Sequence, residues 1–188
     1  MLSYEEIYNK VKEKLSEKRF YHSECVVERC IEYAKIYGID VEKAKITGIL
    51  HDVAKEIPKE EQIDIAKKYN IELDEIEKMQ GSLLHAKVGA EIAKRDFDCT
   101  EDIYNAIKCH TTGKENMTIL EKILFMADAT GQDRTWGDTE YLYNLAKTDI
   151  DKAIIIVMKE CIIDVINQDK LVHPDSIYAL NFMLLNKK

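Results

Sequence analysis

The sequence predicts an all-α protein, and three observations support that fold class. Apolar residues recur at a spacing close to 3.6 along nearly the whole chain, which is the period of helices that bury one face. The residues between these segments are typical of helix ends, and only two prolines and seven glycines occur in 188 residues. No segment combines strand-like alternation with hairpin turn signals. We therefore expect a helical bundle of about eight to ten helices.

The first half of the chain contains four predicted helices beyond a charged N-terminal helical segment. Glycine favours the left-handed end of a helix, so Gly38 stops the first of them. Proline and serine suit the start of a helix, so Pro58 and Ser82 mark the starts of two of these helices. The inward faces of these helices carry His22, His51 and His85. The predicted helices are residues 21–37, residues 40–55 capped by Asp40, a shorter helix from Pro58, and a helix capped by Ser82.

The second half contains five more predicted helices. Thr100, followed by two acidic residues, suits the positive end of a helix, and Gly113 ends that helix. Thr118 begins a capping-box pattern for the next one. The inward faces of these two helices carry His110 and Asp128. The remaining predicted helices are residues 138–146, 148–167 and 175–185.

The length predicts one domain over residues 1–188. Its metal-binding core would span roughly residues 18–134, and C-terminal helices at 138–188 would pack on that core. A chain that is 46% hydrophobic and 33% charged is ordinary for a soluble globular protein.

Charge and cysteine content narrow the function and the compartment. A net charge of −8 argues against a general binder of nucleic acid or of membrane surfaces, because both need a positive face. The five cysteines are odd in number and form no C-x-x-C, which indicates thiols in a reducing compartment. No signal core and no apolar run of transmembrane length occurs. We therefore expect a cytoplasmic protein.

Five residues with metal-ligand side chains fall on these inward faces, and a sixth, Asp52, follows one of them directly. A lone inward histidine is more often a hydrogen-bonded core residue than a ligand. A carboxylate on an apolar face, however, needs a cation, several donors or a metal. One metal site would satisfy all six together, and imidazole with carboxylate suits iron, manganese, zinc or cobalt. The six residues are His22, His51, Asp52, His85, His110 and Asp128.

Several stretches of the chain resemble a known family. The series of His22, the adjacent His51-Asp52 and Asp128 resembles the metal-binding signature of the HD-domain phosphohydrolases, an all-helical superfamily. More closely, the chain is similar to the bacterial HD-domain hydrolases of diadenosine tetraphosphate. The matching stretches are Tyr21-His22-Ser23, Gly48-Ile-Leu-His-Asp-Val-Ala-Lys55, Leu84-His85-Ala86, Ala106-Ile-Lys-Cys-His-Thr-Thr-Gly113, Ala127-Asp128, Arg134, His173-Pro174 and Asn181.

The resemblance implies a function and a role for each of these residues. The function would be metal-dependent, symmetrical hydrolysis of diadenosine tetraphosphate to two ADP. The ligands of a first metal, commonly iron, would be His22, His51, Asp52 and Asp128. A second metal or the bound phosphates would contact His85 and His110. The catalytic residues would be Asp52, Lys55, His85 and His110. The nucleotide contacts would be His22, Asp52, His85, His110, Asp128, Ala129, Arg134 and His173.

Several alternatives stay open at the level of sequence. Lys55 could be a solvated lysine, and Arg134 could form a surface ion pair with Asp133 or Asp138. Trp136 could line a base pocket or anchor a loop. Where the family usually has Ile-Glu-Pro, this chain reads Thr130-Gly131-Gln132, which puts the substrate preference in question.

The alternatives to the expected reaction follow from that question. They are another HD-type reaction, on (deoxy)nucleotides or ppGpp, and a non-catalytic nucleotide-binding regulatory module. The expected partner is a small nucleotide, with no nucleic acid and no membrane, and a homodimer is an open alternative.

Overall fold

The computed structural model describes residues 2–135 and 137–187, so the suggested role of Trp136 lies outside the described residues. In the described part, the chain forms eleven helices and no β-strand, which confirms the all-α fold class. The count exceeds eight to ten because α5 has only five residues, too few to show a period. The helices are α1 (Tyr4–Lys14), α2 (Glu17–Tyr37), α3 (Val41–Leu50), α4 (Lys59–Tyr69), α5 (Glu75–Met79), α6 (Gly81–Phe97), α7 (Glu101–Cys109), α8 (Ile119–Ala129), α9 (Thr139–Ala146), α10 (Ile150–Asn167) and α11 (Pro174–Leu185).

Most predicted helix ends coincide with local capping contacts. Gly38 ends α2 with φ of +68°, a left-handed conformation that favours glycine. Asp40 accepts a hydrogen bond from a backbone N–H of α3, and Thr118 with Glu121 forms the predicted capping box at the start of α8. The cap predicted at Ser82 is wrong, because α6 begins one residue earlier and Ser82 lies inside it.

The helix predicted over residues 40–55 ends at Leu50, five residues early. The Nδ1–H of His51 donates to the Gly48 carbonyl over 2.8 Å, and that oxygen is the one that the next backbone N–H of a continuing helix would use. The chain then follows turns with bonds to the third residue back, from the Lys55 N–H to the Asp52 carbonyl, for example, at 2.9 Å. His51 and Asp52 therefore lie just beyond a helix rather than within one.

Helix α2 is the central element of the packing. It packs against α3 and α8, while α6 packs against α4 and α7, and α10 packs against α8, α9 and α11. Gly48 permits the close approach of α3 to α2, because a Cβ atom there would lie 3.1 Å from the Val27 Cα atom. This contact sets the separation between the helix that carries His22 and the end of the helix that precedes His51.

The buried hydrophobic side chains of the described residues include members of both the first and the last helix, from Ile7 to Met183. None of the helices in the described ranges combines the length and the apolar content that a bilayer span requires. The single domain over residues 1–188 and the homodimer alternative stay predictions.

Candidate metal centre

Five helices bring the six predicted ligand residues to one place. His22 lies on α2, His51 and Asp52 follow α3, His85 lies on α6, His110 follows α7, and Asp128 lies in the last turn of α8. The four histidines and Asp52 are buried, with at most 3% of each residue exposed. The Asp128 side chain is 23% exposed, so the site opens to solvent on its side.

All four histidine rings hold their Nδ1 atoms against an oxygen acceptor. Three of them contact the backbone carbonyl three residues earlier in the chain, at 2.8 Å for His51, 2.8 Å for His85 and 2.6 Å for His110. The fourth, His22, instead contacts the carboxylate of Asp133 at 2.8 Å. Since these oxygens accept hydrogen bonds, each Nδ1 carries a hydrogen and each Nε2 atom faces the centre of the site.

The Asp52 carboxylate lies between two pairs of these rings. Its Oδ2 atom is 3.9 Å from His22 Nε2 and 3.4 Å from His51 Nε2. Its Oδ1 atom is 3.1 Å from His85 Nε2 and 3.8 Å from His110 Nε2. One carboxylate can therefore serve two neighbouring groups of ligands.

Asp128 completes the first of the two groups. Its Oδ1 atom is 3.0 Å from His22 Nε2 and 3.9 Å from His51 Nε2. Ligand atoms of two sets, His22 with His51 and Asp128, and His51 with Asp52 and His110, lie within 4.8 Å of one another and could hold a metal ion.

Burial and close charges shift the pKa values of the site in opposite directions. Burial would raise the pKa of Asp52, but the charge of the adjacent His51, with His110 and His85 close by, holds it well below its usual range. Burial would likewise raise the pKa of Asp128, but His22 and Arg134 hold it well below its usual range. Both carboxylates are therefore charged at neutral pH.

The imidazoles differ from one another. For His51, burial would lower the pKa, but Asp52 and Asp128 raise it above the usual value. For His85, burial lowers the pKa to about 4, although Asp52 opposes that effect. His85 is therefore a neutral ligand or hydrogen-bond acceptor at pH 7.

These residues fit a divalent transition metal. The Nε2 atom of His51 is buried and has no hydrogen-bond partner among the described residues, which is costly for a polar atom unless a cation binds it. The spacing of 3.0–3.9 Å between the ligand atoms around His22 and Asp128 suits an ion bound at about 2.0–2.2 Å from each. Imidazole nitrogen with carboxylate oxygen is a ligand set for zinc, iron, manganese or cobalt.

Two of the predicted cationic side chains, Lys55 and Arg134, lie beside the carboxylates. Lys55 is half-buried, with Nζ 3.2 Å from His85 Nε2, so it is not a solvated lysine. Arg134 donates through Nε to the Asp128 carbonyl over 2.8 Å and contacts the carboxylate through Nη2, in place of the surface pair with Asp133 or Asp138. Positive charge is thus concentrated locally in a chain of net charge −8.

Two residues of the site were not identified from the sequence. Arg19 contacts Asp52 Oδ2 through Nη1 at 2.9 Å. Its position three residues before His22 places both on one face of α2, a signal that could have revealed it. Asp133, which contacts His22, was considered only as a partner of Arg134, and its distance along the chain leaves no periodic signal.

The last two predicted nucleotide contacts lie at the edge of the site or beyond it. Ala129 follows Asp128 at the end of α8 and is half-buried. His173 precedes α11, and its Nε2 atom is 2.7 Å from Asp74 Oδ2, so it does not join the histidine cluster. It does line a cavity of about 180 Å³ that also contacts Ser82 and Thr111.

The comparison with protein families agrees with this arrangement. The model of the HD domain matches residues 19–132, which include the six clustered residues. The chain belongs to the HD-domain family.

Similar proteins in this family cover nearly the whole chain. One from Bacillus subtilis (strain 168), named "Bis(5'-nucleosyl)-tetraphosphatase, symmetrical", is 35% identical over 93% of this chain and 94% of its own. A protein of the same name from Halalkalibacterium halodurans is 35% identical over 95% of each chain. A crystal structure from Clostridium acetobutylicum, of an HD superfamily hydrolase described as involved in NAD metabolism, superposes with a TM-score of 0.96. It is 36% identical and covers 100% of both chains.

Proposed function

We propose that this protein is a metal-dependent phosphohydrolase that cleaves diadenosine tetraphosphate symmetrically into two ADP. One observation carries the proposal: the buried Nε2 atoms of four histidines face two carboxylates, and three cationic side chains, Arg19, Lys55 and Arg134, lie beside them. The imidazole and carboxylate groups suit a metal ion, and the cationic side chains beside them suit the phosphate oxygens of a substrate. The names of the two relatives described above support the choice of substrate.

The proposed first metal site consists of His22, His51, Asp52 and Asp128. Iron is the expected ion, with manganese, cobalt and zinc as alternatives. The Oδ1 atom of Asp52, with His85 and His110, would form the ligand set for a second ion in a dinuclear site, where the ion would replace the contact of Lys55 with His85 Nε2. A divalent ion bound by these residues would lower the pKa of a water molecule and withdraw charge from a phosphoryl oxygen.

The polyphosphate chain binds along a cleft of about 270 Å³ beside the first metal site. Arg19 and Arg134 reach the two carboxylates from this cleft, and their planar guanidinium groups also suit phosphate oxygens. These two arginines hold and orient the substrate, and they offset the negative charge that the transferring phosphoryl group carries. The cleft is lined by Lys18, Arg19, His22, Asp133, Arg134 and Thr135.

On the opposite side of Asp52, Lys55 is the charged donor. Its ammonium group contacts the neutral His85 ring, and the charges of Asp52 and Asp128 oppose the effect of burial on its pKa. It donates a hydrogen bond to a phosphoryl oxygen and so stabilises the charge that accumulates there.

One nucleoside occupies the cavity that His173 lines. The walls of this cavity combine apolar side chains, among them Leu83, Phe125 and Met158, with polar groups such as Gln168. A base needs an apolar surface with a few hydrogen-bonding groups, and this lining provides both. Ser82 and Thr111 connect the cavity to His85 and His110.

The direct test is a product analysis. The purified protein, stripped of metal, is incubated with diadenosine tetraphosphate and with Fe²⁺, Mn²⁺, Co²⁺ or Zn²⁺ in turn, and nucleotides are resolved by chromatography. We expect ADP alone in the metal-loaded samples. A mixture of AMP and ATP would contradict symmetrical cleavage, and the absence of ADP with every ion would contradict the substrate.

The alternatives are tested in the same assay. A panel of (deoxy)nucleoside triphosphates and ppGpp separates another HD-type reaction from the proposed one. His51→Ala removes a proposed ligand from a buried position, and we expect it to lose both bound metal and turnover. Full turnover by this variant would contradict the site, and failure of the wild-type protein to bind any of the ions would favour a non-catalytic module.

A further inference from the structure

The loop after α8, residues 130–133, is attached to α2, the helix that carries His22. The Arg29 Nε–H donates to the Thr130 carbonyl over 3.0 Å, and the Tyr33 hydroxyl lies 3.0 Å from the Thr130 hydroxyl. The Gln132 side-chain amide donates to Glu28 over 2.7 Å. Three residues of α2 thus fix the segment whose sequence departs from the Ile-Glu-Pro of the family.

This attachment places a carboxylate against the Nδ1 atom of His22. Asp133 Oδ2 accepts from it over 2.8 Å, whereas the other three histidines of the site use a backbone carbonyl of their own helix region. His22 is therefore the one histidine of the four whose ring is oriented by a side chain from a distant part of the chain. A carboxylate on the far nitrogen of a metal-binding histidine fixes the ring and increases its basicity.

Gly131 provides the space for this carboxylate. A Cβ atom at position 131 would lie 2.8 Å from Asp133 Oδ1, closer than real Cβ contacts come. That oxygen is also buried without a hydrogen-bond partner among the described residues. A carboxylate kept in so costly a position indicates that the contact of its other oxygen with His22 has a function.

We propose that Asp133 is a positioning residue that aims the Nε2 atom of His22 at the metal site, and that Gly131 is required for it to do so. The inference rests on the proposed function, because it needs a metal ion at His22. It gives the altered loop a role: the replacement of Glu-Pro by Gly-Gln leaves room for a carboxylate that orients a ligand.

Metal affinity tests the proposal without relying on turnover. Mn²⁺ is titrated into metal-free protein and the free ion is measured by electron paramagnetic resonance. We expect Asp133→Ala to raise the dissociation constant for Mn²⁺ by about 10- to 100-fold, which is the usual effect of removing the hydrogen-bond partner of a metal-binding histidine. Asp133→Asn keeps an oxygen acceptor without the charge. Its affinity for Mn²⁺ should therefore fall between those of the wild-type protein and Asp133→Ala. The matched control is Asp138→Asn, a carboxylate that caps α9 and is not among the lining residues of the cleft.

A merely structural role for Asp133 would give a different pattern. It would lower the free energy of unfolding without the graded order of affinities, so unfolding of the metal-free variants by urea is measured in parallel. Equal Mn²⁺ affinity of Asp133→Ala and the wild-type protein would overturn the inference and leave the metal centre intact. No Mn²⁺ binding by the wild-type protein would overturn the proposed metal centre and this inference with it.

A double-mutant cycle tests the part played by Gly131. Gly131→Ala should weaken Mn²⁺ binding in the same direction as Asp133→Ala. If its effect acts through the carboxylate, the double variant should bind no more weakly than Asp133→Ala alone. Additive losses would show that Gly131 acts independently of Asp133 and would overturn that part of the proposal.

Discussion

Lys55 Nζ lies 3.2 Å from His85 Nε2, so a lysine ammonium group donates a hydrogen bond to an imidazole inside the site. The ring can accept this bond because burial lowers the pKa of His85 to about 4, which leaves it neutral at pH 7. Burial also lowers the pKa of Lys55, while Asp52 and Asp128 oppose that effect. The pair places a positive charge near the two carboxylates, and both carboxylates stay ionised.

Lys55→Met should lower kcat by about 10²- to 10³-fold, because a positioned donor to the transferring group is lost. Methionine fills similar volume and has no charge, and Lys55 is not a proposed metal ligand. The metal content should therefore stay at the wild-type value. Steady-state kinetics with diadenosine tetraphosphate and metal analysis of the same samples check both expectations.

Lys67→Met provides the matched control for that variant. Lys67 is exposed and pairs with Asp64 on α4, so the same substitution there should leave kcat unchanged. A Lys55→Met enzyme with wild-type kcat would show that the ammonium group has no part in the reaction.

The lowered pKa of His85 predicts a pH dependence of stability in the metal-free protein. The unfolded chain takes up a proton near pH 6.5, whereas the folded ring does so only near pH 4. Between these values the unfolded state binds more protons, so this group destabilises the fold progressively as the pH falls from 6.5 to 4. His85→Gln removes that contribution.

Urea unfolding at pH 7 and pH 5, in the presence of a chelator, measures the effect. The wild-type protein should lose more unfolding free energy between the two pH values than His85→Gln does. The raised pKa of His51 acts in the opposite direction, but both proteins share it. Equal losses in the two proteins would contradict a depressed pKa at His85.

Much of the fold could be predicted because its signals are local. The glycine after α2 and the capping box of α8 mark helix ends through contacts within a few residues. The early end of α3 could not be predicted, because no helix-stopping residue precedes Pro58. There the chain changes to turns with bonds to the third residue back, and His51 and Asp52 are packed into a site built from distant parts of the chain.

The same distinction applies to the site. Five of its six clustered residues lie on the inward faces of the predicted helices, so periodicity indicated them, and Asp52 is adjacent to His51 in the sequence. Asp133 lies in a loop and meets His22 across 111 positions of the chain, and no spacing rule covers such a contact. The spacing of three residues along α2 could have revealed Arg19, because it shares a helix face with His22. Its contact with Asp52, however, depends on how α2 packs beside the end of α3.

Arg134→Lys should lower kcat/KM by about 10- to 100-fold, mainly through a higher KM. The Arg134 guanidinium contacts both the carbonyl and the carboxylate of Asp128, and a single ammonium group cannot keep that geometry while it binds phosphate. Arg95→Lys, at an exposed arginine that pairs with Glu91 outside the site, is the matched control and should keep wild-type values. A wild-type KM for Arg134→Lys would contradict a role in phosphate binding.

Gly48→Ala should lower both stability and metal affinity, because Gly48 sets the spacing of α2 and α3. Alanine favours a helix by about 1 kcal/mol over glycine. Its Cβ, however, would lie 3.1 Å from the Val27 Cα atom, which is backbone in a packed core and cannot move cheaply. Overpacking of this kind costs about 1–3 kcal/mol, so the expected net change is a loss of unfolding free energy of up to about 2 kcal/mol. Separating the helices also moves His51 away from His22, so Mn²⁺ affinity should fall together with Tm. Gly81→Ala, where the three atoms nearest to the added Cβ belong to the flexible Lys59 side chain, should change neither quantity to the same extent. A Gly48→Ala protein more stable than wild type would show that helix propensity outweighs this contact.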